Sequence, residues 1–225
     1  MAKHERRPVI LLHGLGRSLY SMQALSNALV AADFDPYNID YPSRKMTIRE
    51  AAAHIERLIA RDLDGERLFA VTHSLGGIIL RHIGKRFDWR RIVMLAPPNN
   101  GSAAAMSVLE TGIDFITEVA SRMFGPATSE LGNASRVQKP FPFPPAPFAV
   151  IAGTKPSSFA SPITGRAFGP DVEHDGTVSV EETKLPGMAD FATVHVGHTD
   201  IMDHPETIRL TLRFLERGTF TGDQA

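Results

Sequence analysis

The stretch Val71-Thr72-His73-Ser74-Leu75-Gly76-Gly77 decides how the rest of the chain is read. Ahead of it, Arg67-Leu68-Phe69-Ala70-Val71 is a short apolar run of the length of a buried strand. Behind it, Ile78-Ile79-Leu80-Arg81-His82-Ile83 opens a buried helix. A serine at such a junction sits on a sharp strand-to-helix turn. Its hydroxyl is held out at the carboxyl edge of a sheet, with a helix N-terminus beneath it. Small residues on either side let the turn close, which is the logic of the G-x-S-x-G elbow. Thr72 stands at the first glycine position and puts a methyl and a hydroxyl where little bulk is wanted, while Gly76 and Gly77 keep the other side open. A Ser-x-Gly pair by itself marks a turn. The strand before it and the helix after it make Ser74 a candidate nucleophile.

Outward from this junction the chain alternates between two periodicities. Val9-Ile10-Leu11-Leu12, Ile92-Val93-Met94-Leu95 and Phe148-Ala149-Val150-Ile151-Ala152 are continuously apolar, as central strands buried on both faces are. Phe34 to Asp40 reads as a further strand, which Pro36 assigns to an edge. Phe191 to Val196 reads as the last strand. Between them, Met22, Leu25 and Leu29 fall at helical spacing. Thr47-Ile48-Arg49-Glu50 is a capping box, with Ile48, Ala52, Ile55 and Leu58 on one face behind it. Pro205 opens a closing helix whose inner face carries Ile208, Leu212 and Leu215. Strands alternating with helices predict an α/β fold: a doubly wound, mostly parallel sheet with helices on both faces. Residues 1–225 read as a single domain. Within it, residues 99–147 form a helical insertion between the fourth and fifth strands and a candidate lid or cap. Its apolar stripe is Leu109, Ile113, Ile116 and Ala120, followed by a polar segment and an extended connector from Pro140 to Pro147.

The chain has 225 residues, 43% of them hydrophobic, a size and composition suited to one sizeable core. A net charge of -1 gives no basic footprint for nucleic acid. With no cysteine there is no disulfide framework, no thiolate metal site and no cysteine nucleophile. The run Val9 to Leu12 is too short for a signal sequence, and no apolar run approaches a membrane span, so the expectation is a cytoplasmic protein without stable membrane insertion. No carboxylate cluster suggests a metal, and the expectation is no metal and no cofactor.

In a doubly wound sheet the working loops leave the carboxyl ends of the strands. The first of them, Gly14-Leu15-Gly16-Arg17-Ser18-Leu19, supports two readings. It matches G-x-G-x-x-G except at Leu19, and Asp40 stands where a ribose-binding acid would, which is the reading of a dinucleotide-binding oxidoreductase. That reading gives His13 no task and lacks the glycine that permits close helix-strand packing. In the other reading the loop turns a backbone N–H into the site. Acyl transfer from a serine needs two such donors for its oxyanion, and Leu15 and Leu75 are the candidates. His13 then braces the loop.

A serine hydroxyl needs a histidine to take its proton and an acid to orient that histidine. With the chain order serine, acid, histidine, the candidates for the base lie after Ser74. His82 lies on a helix, His195 falls inside the last strand, and His204 precedes the closing helix. His198, after Gly197 at the active edge, is the candidate base. For the acid, Asp175-Gly176-Thr177-Val178 forms a sharp turn that presents a carboxylate, with Asp171 the alternative. Asp203 reads as a helix cap.

His-Gly-Leu-Gly from His13, Thr-His-Ser-Leu-Gly-Gly from Thr72, His-Asp-Gly-Thr-Val from His174 and Val-Gly-His-Thr from Val196, in this order, resemble the α/β-hydrolase superfamily, and within it the small bacterial serine lipases and esterases. The resemblance runs from Val9 to about Leu215. It implies Ser74 as nucleophile, Asp175 as acid, His198 as base, and Leu15 and Leu75 as oxyanion donors. It also implies hydrolysis of small acyl esters without a cofactor. Thioesterases, acyltransferases and non-catalytic binding members share the fold, so the resemblance leaves the substrate open. Ile113 and Ile116 are the candidate acyl-binding residues, and oligomeric state is not legible.

Overall fold

The computed structural model describes residues 6–103, 125–134, 141–145, 147–156 and 168–222. In chain order its strands are β1 (Pro8–Leu12), β2 (Asp35–Ile39), β3 (Arg67–His73), β4 (Asp88–Leu95), β5 (Phe148–Gly153) and β6 (Asp190–Val194). Its α-helices are α1 (Gln23–Ala31), α2 (Ile48–Asp62), α3 (Leu75–Ile83), α4 (Pro126–Ala134), α5 (Val180–Thr183) and α6 (Pro205–Arg217).

The strands form one sheet of six in the order β2-β1-β3-β4-β5-β6, and every pairing is parallel. Hydropathy explains the order. β1 and β5, wholly apolar, are buried along their whole length in the interior of the sheet. β2, with Pro36, and β6 are partly exposed and form the two edges. Alternate residues of the inner strands feed two cores. Val9, Leu11, Val71, Val93 and Ile151 pack with Leu25 and Leu29 of α1 and with Leu210, Phe214 and Leu215 of α6. Ile10, Leu12, Ala70, Ile92 and Val150 pack with Ile48, Ile55 and Ile59 of α2 and with Leu75, Ile78 and Ile79 of α3. Helices therefore cover both faces, which closes a fully buried parallel sheet.

The chain moves outward from β1 to β2 and then returns to place β3 on the other side of β1, with Leu12 paired to Thr72. This reversal is the switch point of a doubly wound sheet, where the loops after the two neighbouring strands diverge and leave a crevice. Those two loops carry His13-Gly14-Leu15 and Ser74.

Two local expectations are corrected. The last strand stops at Val194, because the Val196 N–H turns back onto the Val194 carbonyl at 2.8 Å. His195 is thereby thrown outward, exposed and in reach only of Thr154 Oγ1 among the described residues, so it belongs to no core. His204, not Asp203, is the N-cap of α6, and its side chain makes no capping bond. The polar stretch after the insertion's apolar stripe holds α4, fastened where Glu130 Oε2 accepts the Ile48 N–H at 2.7 Å. The stripe itself, with Ile113 and Ile116, lies outside the described residues. The Thr47–Glu50 capping box forms as read, each side chain satisfying a backbone N–H of the other. Among the described residues no helix is long and apolar enough to cross a membrane.

Candidate active site

β3 runs buried to its end and delivers Ser74 into a backbone conformation that L-residues avoid, φ 51° and ψ −121°. α3 begins at the next residue. The turn is held by the Ser74 N–H, which donates to the Leu95 carbonyl at 2.9 Å, and by the Ser74 carbonyl, which accepts from Gly77 N at 2.9 Å. The glycine after Leu75 is required by space. A Cβ on Gly76 would lie 2.5 Å from the Leu12 carbonyl oxygen, a backbone atom that cannot yield. Thr72, fully buried, is accommodated because its Oγ1 faces Gly77, which has no side chain to meet it.

Asp175, 1% exposed, sits on a tight turn completed by Gly176 at φ 98°. Its Oδ1 accepts the N–H groups of Thr177 and Val178 at 2.9 and 2.8 Å, an Asx turn that fixes the carboxylate plane. Its Oδ2 is left facing His198 Nδ1 at 2.6 Å. The His198 N–H also donates to the Asp175 carbonyl at 3.1 Å, so side chain and backbone tie the two turns together. A carboxylate only accepts, which puts the ring proton on Nδ1 and leaves Nε2 as an acceptor. Nε2 lies 3.0 Å from Ser74 Oγ. The structure thus brings Ser74, His198 and Asp175 into one hydrogen-bonded chain. Asp171, the alternative acid, is exposed, and His82 lies against Phe141 instead.

His73, part of the elbow pattern in the sequence but given no role of its own there, is a further member. Its ring, 1% exposed, stands 4.8 Å from that of His198, and its Nε2 lies 3.0 Å from the His198 carbonyl oxygen. Burial, and then the neighbouring His198, push its imidazole well below the ordinary histidine range. It is therefore a neutral donor through Nε2–H that fixes the backbone of His198. The signal was available: a histidine two residues beyond the apolar run Leu68–Val71 of a central strand has to be buried, and a buried ring needs a partner.

The loop after β1 is braced as read. His13 Nδ1 meets the Gly14 carbonyl at 2.9 Å, its ring stacks on Tyr41 at 4.2 Å, and the Tyr41 hydroxyl donates to the His13 carbonyl at 2.6 Å. Asp40 Oδ1 accepts the Leu19 N–H at 3.1 Å, a loop-bracing duty. Gly14 packs on the elbow: a Cβ there would fall 2.7 Å from His73 Nδ1 and 3.1 Å from Ser74 Cβ. Leu15 follows it directly. Among the described residues no group of three or more histidine, cysteine or carboxylate side chains is arranged to hold a metal ion.

This arrangement of elbow, acid turn and histidine loop on one parallel sheet accompanies a match of residues 9–210 to the model of the alpha/beta hydrolase family. The chain belongs to the alpha/beta hydrolase family. Solved structures similar to this hydrolase include lipase BlEst2 of Bacillus licheniformis in its mature form. That protein is 20% identical over 96% of this chain and 94% of its own, with a TM-score of 0.73. Phospholipase PlaB of Legionella pneumophila is 18% identical, covering 95% of this chain and 60% of that one, with a TM-score of 0.69. A monoacylglycerol lipase of Paleococcus ferrophilus is 19% identical over 94% of each chain, with a TM-score of 0.56. At these identities the likeness is one of fold. No curated protein matches the sequence. The dinucleotide reading of the first loop loses its ground, because Asp40 is spent within that loop and the family match spans it.

Proposed function

We propose that this hydrolase cleaves carboxylic esters through a covalent acyl-enzyme on Ser74. The observation that carries the reading is the hydrogen-bonded chain from Ser74 Oγ through His198 to Asp175 on a strained elbow. His198 Nε2 takes the hydroxyl proton as Ser74 Oγ bonds to the acyl carbon. Asp175 holds the imidazolium that forms. The carbonyl oxygen, now an oxyanion, rests on the N–H groups of Leu15 and Leu75. Leu75 opens α3, so its N–H has no partner within the helix and carries the helix's positive end. The C–O bond then breaks, His198 gives its proton to the departing alcohol, and water repeats the sequence to release the acid. The partner is a small acyl ester.

The acid assignment is tested by exchanging one oxygen for an amide. Asp175→Asn is expected to leave the fold intact and lower kcat by roughly 10³- to 10⁴-fold, because the amide donates to Nδ1 and favours the wrong tautomer. Asp171→Asn is expected to change nothing. The reverse result in kcat measurements would move the acid to Asp171.

Residues 99–147 supply the acyl pocket in this reading. The segment leaves β4 beside the elbow. It returns at Gly125, which packs on the Arg44 carbonyl oxygen, and at α4, fastened to the start of α2. Ile113 and Ile116 belong to the span between. Catalytic efficiency is expected to rise with acyl length by about 0.8 kcal/mol of binding per methylene until the pocket is full. Ile113→Ala and Ile116→Ala should shift the length at which it stops rising. A chain-length profile unmoved by both changes would make the segment plain scaffold.

A further inference from the structure

Beside the elbow lies an open cleft of about 360 Å³, lined by Gly16, Arg17 and Ser18 from the loop after β1 and by Asp40 through Lys45 from the loop after β2. Its wall is the loop that packs on the elbow. Gly14, two residues before Gly16, packs on Ser74, and Gly16 N donates to Ser43 Oγ at 2.9 Å, joining the two loops. The Arg44 guanidinium lies directly over Gly16, where a Cβ would meet its Nε and Nη2 at 2.8 Å. The charge of Arg17 is felt as far as His73, at the base of the elbow. Three cations, Arg17, Arg44 and Lys45, thus line one cleft with a single carboxylate, Asp40, whose Oδ1 is committed to Leu19 and His13. Among the described residues none of the three cations forms an ion pair. All three are exposed, so together they present a positive field to an anion arriving from solvent. An excess of two positive charges matches a phosphate monoester, which carries a charge of about −1.5 to −2 at neutral pH. Guanidinium groups suit its oxygens as forked donors.

We propose that this cleft binds a phosphate group on the alcohol portion of the substrate, so that the preferred substrate is an acyl ester of a phosphorylated alcohol. The inference rests on the ester-hydrolase reading. It divides the substrate between an acyl group at Ser74 and an anionic alcohol held beside the loop after β1.

The test compares two esters of one fatty acid, acylglycerol and acylglycerol phosphate, on the full chain at low and high salt. A second arm measures binding of glycerol phosphate, glycerol and inorganic phosphate by calorimetry. The expected result is a kcat/KM ratio of roughly tenfold or more in favour of the phosphorylated ester, as expected for new hydrogen bonds to charged groups. That ratio should fall with salt. It should also fall in the Arg17→Gln/Arg44→Gln double variant, whose folding is checked by its thermal midpoint. Glycerol phosphate should bind and glycerol should not. A ratio near one in the wild-type protein, or one the double variant leaves untouched, overturns the proposal. Binding of inorganic phosphate without discrimination between the esters overturns it too, since the cleft then recognises free phosphate. If neither ester is cleaved and no fluorophosphonate labels Ser74, the hydrolase reading fails, and the calorimetric arm still decides the cleft.

Discussion

Ser74→Ala is expected to abolish fluorophosphonate labelling and to lower ester hydrolysis by on the order of 10⁴-fold or more, with His198→Ala doing nearly the same. The two losses should be of similar size, and the double variant no worse than either single one. In the proposed mechanism nucleophile and base act as one device: without the ring the hydroxyl keeps its proton, and without the hydroxyl the ring has nothing to deprotonate. The residual rate would come from the oxyanion donors and from substrate binding. Neither change should unfold the protein. Ser74 and His198 are 8% and 7% exposed, and alanine at position 74 inherits the same positive φ. Mass mapping of the labelled protein and a thermal scan of each variant make the check. An adduct on another serine sinks the assignment. Tight binding of a nicotinamide or flavin cofactor would restore the dinucleotide reading of the Gly14–Ser18 loop.

How far the sequence reveals this site depends on whether a feature is local. The elbow, the capping box at Thr47 and the acid turn at Asp175 are each written in a few consecutive residues, and each forms where its pattern stands. The inner strands are legible for the same reason, since continuous apolarity has one use in a parallel sheet. A second capping box, Ser179 with Glu182 at the start of α5, carries the same four-residue signal and was open to the same reading. α4 was hidden because its attachment depends little on an apolar stripe: Glu130 reaches the first N–H of a helix 82 positions away, and only Ala127, Thr128 and Leu131 are buried among the side chains described there. The end of β6 was misplaced because Val196 is as apolar as a strand residue, and the turn that excludes it is made by backbone atoms. The cleft at Arg17 and Arg44 joins loops that meet only because β2 lies beside β1.

The least legible feature carries the largest expected effect on stability. Arg81 puts a charged side chain in an otherwise largely apolar helix, yet it is 2% exposed. Its Nη1 donates to both the carbonyl and the side-chain oxygen of Asn99, each at 2.9 Å, its Nη2 to the Phe141 carbonyl at 2.9 Å, and its Nε to the Pro142 carbonyl. None of these partners is a carboxylate. Burial accordingly lowers the guanidinium to about 10, which leaves it charged at neutral pH and dependent on those four oxygens. The oxygens belong to the two ends of the segment between β4 and β5, so one side chain on α3 clasps the chain where it leaves the sheet and where it returns. Asn99 Nδ2 passes the connection on to the Thr183 carbonyl at 2.8 Å, at the end of α5. Arg81→Leu fills the space but leaves four acceptors without a donor, at a cost of about 3 to 5 kcal/mol. In a chain of this length that lowers the thermal midpoint by roughly 6 to 20 °C. Arg81→Lys should fall between, since one ammonium cannot serve three separated sites. Hydrogen exchange should quicken first around Asn99 and Phe141, with the inner strands still protected, because the clasp holds the insertion and not the sheet. Equal midpoints for wild type and Arg81→Leu in denaturant titrations would show that the buried charge contributes nothing net. Loss of protection across β3 and β4 instead would place its role in the core.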